Sequence, residues 1–404
     1  MTLSEELIWR GFVNQTTYTD IIELDKSPVS FYWGVDPSAD SMHIGQLAMA
    51  MMIKHFINAG HNATLLVGGA TGMIGDPDGK SEERDLKSDD ELQRNIAGIS
   101  QQYRDLFDGL NFDVVNNYDW FKGIGFLNFL RDVGKYVPMS QMLGREFVQS
   151  RLGDEGKGIS YAEFSYSLIQ GYDFLHLSRE KGITLQVAGA DQWGNSIAGV
   201  DLIRRIDGKD AHIWTAPLIV NKTTGKKFGK SEDGAVWLDE NKTSVFKFYQ
   251  FWLNTDDAGV VDYLKVFTML NKDEIASIEQ QISENPSARE AQKRLAHEVT
   301  KIVHGETRTA SVERVTSALF GGSDFHELSG EDLDVLAGEI PTAQLGTSLI
   351  EVLVGTENAS SNGDARRLIE GGAVSVNGEK VAADVVISEP SLVKKGKNSF
   401  ILVR

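Results

Sequence analysis

The sequence predicts an α/β protein: a Rossmann-like doubly wound parallel sheet, followed by an α-helical domain and a small α+β domain. Three observations predict it. Strand-like and helix-like runs alternate through 1–222, helical patterns stand alone over 244–320, and a short mixed unit fills 341–404. At 404 residues, 41% of them apolar and 24% charged, the chain is long enough for several globular domains with real cores.

The elements follow in order. Val29–Val35 is aromatic and β-branched and reads as a strand. Asp36-Pro37 opens a loop, Gly45–Asn58 is an apolar helix stopped at Gly60, and Thr64–Val67 is the next strand. A strand–helix–strand of this length predicts a right-handed parallel crossover. The alternation repeats in Ile183–Val187, a helix through Ile197–Ile206 and a strand near Leu218–Val220. Residues 221–236 form a basic loop. Helices such as Lys272–Ser283 and Ala288–His304 come next, with Pro286 near their boundary. After an acidic stretch at 321–340, an apolar helix begins near Thr347. A second helix over Ala365–Glu370 follows Ser361-Asn-Gly-Asp364, and a hairpin over Val374–Val381 turns at Asn377-Gly378.

Composition narrows the setting. No apolar run approaches the roughly 20 residues of a membrane-spanning helix. The acidic N-terminus Met1-Thr2-Leu3-Ser4-Glu5-Glu6 lacks the layout of a secretory signal. With no cysteine there is no disulfide, thiolate metal site or cysteine nucleophile, and the expected address is cytoplasmic. The net charge of −18 argues against a nucleic-acid partner for the chain as a whole. The charge is uneven, however. Residues 321–340 carry six acids and no Lys or Arg, whereas 341–404 balance seven acids with seven basic residues, so a local RNA-binding face remains open.

Two short segments point to phosphate chemistry. His43-Ile44-Gly45-Gln46 stands at the mouth of a helix, where free N–H groups and the helix dipole favour anions. Gly45 lets a nucleotide approach the helix backbone without a Cβ in the way. Lys227-Phe228-Gly229-Lys230-Ser231 lies in a loop of four lysines and two glycines, able to close on a triphosphate and set ammonium groups on oxygens that gain charge. A lone histidine there would read as a helix cap, and a lone basic loop as a solvated hairpin tip. Together, in this order, the segments predict nucleotide α-phosphate chemistry.

These segments resemble the two ATP signatures of class I aminoacyl-tRNA synthetases. Phe31-Tyr-Trp-Gly-Val-Asp-Pro-Ser-Ala-Asp-Ser-Met-His43, Val67-Gly-Gly-Ala-Thr-Gly-Met-Ile-Gly-Asp-Pro77, Glu163-Phe-Ser-Tyr-Ser-Leu-Ile-Gln-Gly-Tyr-Asp173 and Gly189-Ala-Asp-Gln-Trp-Gly-Asn195 narrow the resemblance to the bacterial tyrosyl-tRNA synthetases, over nearly the whole chain. The resemblance implies that tyrosine is activated with ATP, as tyrosyl-adenylate plus pyrophosphate, and then passed to the 3′-terminal adenosine of tRNA(Tyr).

It also implies residue roles. Tyr32 and Asp173 bind the phenolic hydroxyl, an arrangement that leaves polar groups stranded when the hydroxyl is absent and so rejects phenylalanine; enzymes of this family are the standard illustration. Asp76, Tyr166 and Gln170 surround the α-ammonium, and Gln192 and Asn117 complete the tyrosine site. Gly34, Asp36, Ser38, His43, Gly45, Gln46, Asp191, Lys227 and Lys230 bind ATP. His43, Gln46, Lys227, Lys230 and Ser231 carry the chemistry, with Lys80 and Arg84 in a mobile basic loop. Mg²⁺ arrives with ATP, and no tightly bound protein metal site is expected. The implied organisation is a catalytic domain over 1–222, with a homodimer interface near 120–150 and Phe126–Leu130 through Met142-Leu143 in it. A mobile lysine loop and connector (223–243), an anticodon-arm domain (244–320), an acidic linker (321–340) and a ribosomal-protein-type RNA-binding domain (341–404) follow. In the last of these, Arg366, Arg367, Lys380, Lys394, Lys395 and Lys397 contact tRNA.

Two residues depart from the family pattern. Gln46 replaces the usual final His of the first signature, and Trp33 stands where a small residue is common beside the ribose. Two other readings are weaker. A small-molecule adenylating or cytidylyl-type enzyme would have no use for the C-terminal unit, and a non-catalytic RNA-binding relative would not need His43, Lys227, Lys230, Asp76 and Asp173.

Overall fold

The computed structural model describes every residue except 78–86, 153–157, 232–233 and 322–323, with the backbone alone at 141, 146, 147, 150, 230 and 231. The chain divides into two compact units, residues 1–243 with 251–295 and residues 244–250 with 296–404.

The first unit opens with α1 (Leu3–Arg10), whose N-terminus carries a reciprocal Thr2–Glu5 capping box, and the short strand β1 (Gln15–Thr16). The predicted crossover follows as β2 (Ser30–Val35), α2 (Ile44–Asn58) and β3 (Asn62–Val67). Alpha-helix α2 is buried on most of its circumference, as expected for an apolar helix covered on both sides. A four-residue helix α3 (Thr71–Ile74) leads to the amphipathic α4 (Asp89–Leu106) and then to β4 (Phe112–Asn116). Four short helices follow: α5 (Tyr118–Phe121), α6 (Phe126–Asp132), α7 (Met139–Leu143) and α8 (Glu146–Leu152). The long α9 (Tyr161–Lys181), β5 (Leu185–Gly189), α10 (Trp193–Asp207) and β6 (His212–Ala216) complete the layer.

The sheet has the order β1-β6-β5-β2-β3-β4, parallel throughout except for the antiparallel edge strand β1. Strand order reverses between β2 and β5, so the predicted doubly wound sheet has its switch point there, and ligands of such sheets bind beyond the strand carboxyl ends at that point. One strand expectation is corrected. The strand after α10 is His212–Ala216, not Leu218–Val220. Pro217 has no N–H for the ladder and ends it, leaving Leu218 and Val220 exposed.

Beyond β6, β7 (Lys230–Ser231) and β8 (Gly234–Ala235) form a small hairpin, and α11 (Val245–Leu253), α12 (Val260–Phe267), α13 (Lys272–Glu284) and α14 (Glu290–His304) continue the chain. Residues 244–320 are helical as expected, but their packing is shared between the two units. Phe228, Phe251, Trp252, Tyr263 and Phe267 form one aromatic cluster in the first unit.

In the second unit, α15 (Glu306–Phe320) packs with α16 (Gly330–Ala337). A five-stranded sheet carries β9 (Thr342–Ala343), β11 (Val374–Val376), β12 (Glu379–Lys380), β14 (Ser391–Lys395) and β15 (Ser399–Val403) in the order β12-β11-β14-β15-β9, while β10 (Thr347–Ser348) pairs with β13 (Val386–Ile387). Helices α17 (Leu349–Gly355) and α18 (Asn362–Glu370) bury Leu349, Leu353, Ala365 and Ile369 in its core. The predicted hairpin forms, with Asn377 and Gly378 both at positive φ (49° and 86°), as a type I′ turn needs. The acidic stretch 321–340 is more than a connector. Leu336 joins Val315, Leu319, Leu392, Phe400 and Leu402 in one apolar cluster, and the buried Asp332 accepts hydrogen bonds from Ser311 (2.5 Å) and Arg314 (2.8 and 2.9 Å).

Candidate active site

The predicted phenol-binding pair lies at the switch point. Tyr32 sits on β2 with its ring against Phe174 at 5.3 Å, and its hydroxyl is buried without a hydrogen-bond partner. Asp173, on the facing side of α9, is held by two donors: Asn117 Nδ2 at 3.0 Å and Trp120 Nε1 at 2.9 Å. Burial pushes the Asp173 carboxyl up to about 8, with the charge of Asp36 adding to the rise and the two donors opposing it. Burial likewise raises the Tyr32 phenol well above its ordinary value, reinforced by Asp173. A buried hydroxyl lacking a partner beside a carboxyl fixed from behind can recognise a second hydroxyl.

Carboxylates continue along the crevice. Asp36, directly after β2, accepts from Thr71 Oγ1 (2.6 Å) and from the Tyr166 hydroxyl (2.7 Å). The Tyr166 phenol is raised well above its usual range by burial first and by Asp36, Asp76 and Asp173 after it. Asn117 ties these groups together: its Oδ1 accepts from the Ala70 N–H (2.6 Å) and its Nδ2 donates to Thr71 Oγ1 (3.1 Å) as well as to Asp173. Gly68 permits the arrangement, since a Cβ there would stand 2.1 Å from Asp36 Oδ1. Asp76 accepts from Gln192 Nε2 at 2.6 Å. Gln170 lies between Tyr166 and Asp173 at helical spacing, with its buried Oε1 lacking a partner. Three carboxyl groups and two unsatisfied polar atoms in one crevice suit a ligand with a hydroxyl and a cation.

The two phosphate segments meet in space. His43 caps α2: its Nδ1 accepts from the Gly45 N–H (3.0 Å), while Gln46 Oε1 accepts from the His43 N–H (2.8 Å). With Nδ1 acting as acceptor, a neutral imidazole carries its proton on Nε2, a donor for an incoming oxyanion. Gln46 thus fills a capping-box role that an imidazole would fill differently. Gly45 is required here, because a Cβ would lie 2.8 Å from His43 Cε1. The chain after the lysine loop runs back along this helix start: Ile44 N–H donates to the Val236 carbonyl (3.1 Å), Leu238 N–H to Met42 (2.9 Å), and Trp237 meets the His43 ring edge-on at 6.0 Å. Gly229, at φ +93°, would carry a Cβ 3.2 Å from Ile44 Cβ. Phe228 anchors the loop in the aromatic cluster, stacked on Tyr263 at 4.3 Å, while the Lys227 side chain is exposed beside it.

Comparison with known proteins assigns this arrangement to a family. Residues 24–321 match the family described as tRNA synthetases class I (W and Y), and residues 332–404 match the tyrosine–tRNA ligase SYY-like C-terminal domain. The chain is 44% identical to the tyrosine–tRNA ligase of Staphylococcus haemolyticus (strain JCSC1435), over 99% of this chain and 98% of that one. The chain belongs to the class I tRNA synthetases, as a tyrosine–tRNA ligase. Among solved structures, the C-terminally truncated Aspergillus nidulans mitochondrial tyrosyl-tRNA synthetase matches the synthetase with a TM-score of 0.71 at 31% identity, covering 79% of this chain and 94% of that one. The Archaeoglobus fulgidus tyrosyl-tRNA synthetase complexed with L-tyrosine shares the fold alone, with a TM-score of 0.57 at 12% identity over 76% of this chain and 99% of that one.

Among the residues named from sequence, hydrogen bonds join Asp36, Asn117, Tyr166 and Asp173 in one network and Asp76 with Gln192 in a second contact. Tyr32 and Gln170 flank that network, and His43, Gly45 and Gln46 share the α2 terminus. Gly34, in the last pleat of β2, is exposed, as are Ser38 and Asp191 just beyond the ends of β2 and β5. Lys80 and Arg84 lie outside the described residues, as do the side chains of Lys230 and Ser231. Trp33 does not line the crevice of the synthetase. Its indole points to the other face of the sheet from Tyr32 and packs on Tyr103 at 5.4 Å, and β2 keeps its register with β3. In the second unit Arg366, Arg367, Lys380 and Lys397 are exposed, Lys394 lies over the Phe400 ring at 5.0 Å, and Lys395 donates to the Asn358 carbonyl. Sequence reasoning missed Thr71, Trp120 and Phe228 as supports. Thr71 and Phe228 lay inside motifs already singled out, but nothing local marks Trp120.

Proposed function

We propose that this tyrosine–tRNA ligase runs both of its half-reactions in the crevice beyond β2, β3 and β5, with Tyr32 and Asp173 holding the substrate phenol. The observation that carries this assignment is the partnerless Tyr32 hydroxyl beside a carboxyl braced by Asn117 and Trp120. The ammonium then falls to Asp76, Tyr166 and Gln170, with Gln192 orienting Asp76. The tyrosine carboxylate attacks the ATP α-phosphorus in line. His43 Nε2–H, the α2 N-terminus and the lysines of 227–230 meet the charge that builds on the phosphate oxygens, and pyrophosphate leaves. The terminal ribose hydroxyl of tRNA(Tyr) next attacks the activated carbonyl, releasing AMP. Gly34, Asp36, Ser38 and Asp191 border the ribose, and Lys80, Arg84 and Ser231 act with the lysine loop. Mg²⁺ enters on the ATP phosphates and keeps mostly phosphate and water ligands. Among the described residues no group of three or more His, Asp or Glu side chains is placed to hold a metal ion.

Exposure supports a homodimer built on α6 and α7. Phe126, Leu127 and Met139 are 64%, 78% and 57% exposed, a cost in water that a second copy of the chain would remove. Arg366, Arg367, Lys380, Lys394, Lys395 and Lys397 are assigned to tRNA phosphates, and the address we propose is cytoplasmic. Tyrosine-dependent exchange of labelled pyrophosphate into ATP, compared across the other amino acids, tests the assignment of the crevice. Exchange with tyrosine that survives Asp173→Ala undiminished would move the phenol site elsewhere.

A further inference from the structure

Behind Asp76 and Gln192 a polar chain continues to two residues, Asn195 and Arg145, that the proposed reaction does not use. Gln192 Nε2 donates to Asp76 Oδ2 at 2.6 Å, Asn195 Nδ2 donates to Gln192 Oε1 at 3.3 Å, and Arg145 Nη1 donates to Asn195 Oδ1 at 2.7 Å. Arg145 also donates from Nη2 to the Gly194 carbonyl at 2.8 Å, which fixes the plane of the guanidinium. Asn195 is buried. Arg145 lies between α7 and α8, far in sequence from both amides.

An amide is symmetrical in shape but not in function: one end accepts and the other donates. Two amides in series have two self-consistent directions, and in the reversed one Gln192 would turn its oxygen toward the Asp76 carboxylate. A guanidinium breaks the tie, because it has donors only and cannot reverse. Arg145 compels Asn195 to present its oxygen outward and its NH2 to Gln192, and so compels Gln192 to present its NH2 to Asp76.

We propose that Arg145 is a positioning residue for the ammonium end of the tyrosine site, setting the direction of the Asn195–Gln192 amides so that the Asp76 carboxylate stays in place for the substrate cation. This rests on the assignment of Asp76 to the tyrosine ammonium. The test compares L-tyrosine with 3-(4-hydroxyphenyl)propionate, the same molecule without the amino group, by equilibrium binding and by pyrophosphate exchange. In Arg145→Gln the KM and Kd for tyrosine should rise about tenfold, the size of one charge-assisted hydrogen bond, with kcat for exchange near that of the parent. Affinity for the deaminated analogue should not change. Arg145→Lys keeps a cationic donor and should recover part of the loss.

Asp76→Asn serves as the reference. If it leaves the preference for tyrosine over the analogue intact, the ammonium assignment fails. If it abolishes that preference while both Arg145 variants keep it, the assignment stands and the role of Arg145 is refuted. Equal weakening of tyrosine and the analogue, or a loss confined to tRNA charging, would also overturn the proposal. Melting curves of both Arg145 variants separate a folding defect, which would depress kcat and both ligands together.

Discussion

Below pH 8, tyrosine binding is expected to expel a proton, with Asp173 as its source. The carboxyl, raised to about 8 chiefly by burial, is roughly nine-tenths protonated at pH 7 in the empty site. In the proposed complex the balance would reverse: the substrate phenol would donate to the carboxyl, and its ammonium would bring a cation into a crevice of three acids. Both favour the ionised form. If the bound carboxyl drops below about 5, binding releases roughly 0.9 proton at pH 7 and about half a proton at pH 8. Tyrosine affinity should then strengthen by nearly tenfold between pH 6 and 7 and level off near 8. Calorimetric titration at pH 7 in phosphate and in Tris measures the release directly, since the apparent heat differs by the buffer ionisation heat times the protons exchanged. Identical heats in the two buffers, with a flat affinity from pH 6 to 8, would show that Asp173 is already ionised and would refute the reasoning. The same shift affects the empty protein. The fold retains a proton that the unfolded chain loses near pH 4, so this residue makes stability decline as pH rises from about 4 to 8. Asp173→Asn should flatten that decline in thermal melts relative to the parent.

Other outcomes follow from individual contacts. Tyr32→Phe removes a hydroxyl with no partner in the protein, so it should leave the melting temperature unchanged or higher while weakening tyrosine binding by roughly 0.5–1.5 kcal/mol; unchanged affinity would remove Tyr32 from the site. Gly229→Ala forces a side chain into the left-handed region against Ile44, a strain of about 1–2 kcal/mol, and should slow adenylate formation in single-turnover kinetics with little change in tyrosine binding. Deleting 341–404 should spare pyrophosphate exchange and impair tRNA charging. It also strips Leu392, Phe400 and Leu402 from Val315, Leu319 and Leu336, so hydrogen exchange over 306–337 should accelerate; unchanged protection there would contradict the shared cluster.

Much of this candidate site was readable in the sequence because the residues proposed for it are written in contiguous motifs. Periodicity and turn residues determined the strand–helix alternation, and the hairpin followed from Asn377-Gly378. Tyr32, Asp36, His43, Asp76, Asp173 and Lys227 each lie within a motif or loop whose residue types suit one chemistry. The direction in which a side chain faces was less accessible. Trp33 and Tyr32 are neighbours on one strand, yet strand alternation sends one to the crevice and the other to Tyr103.

The sequence by itself determined the α/β class, the family and the candidate residues proposed here for the tyrosine and phosphate sites, since these depend on local pattern and on runs that survive as motifs. Only the tertiary structure decided which residues support them. Trp120 braces Asp173 across 53 positions, Asn117 does so across 56, and Arg145 reaches Asn195 across 50. It also decided that Leu336 and Asp332 belong to a core instead of a linker. The reason is physical: a hydrogen bond or an apolar contact between distant segments depends on where the chain brings them, and single-residue chemistry carries no record of that distance.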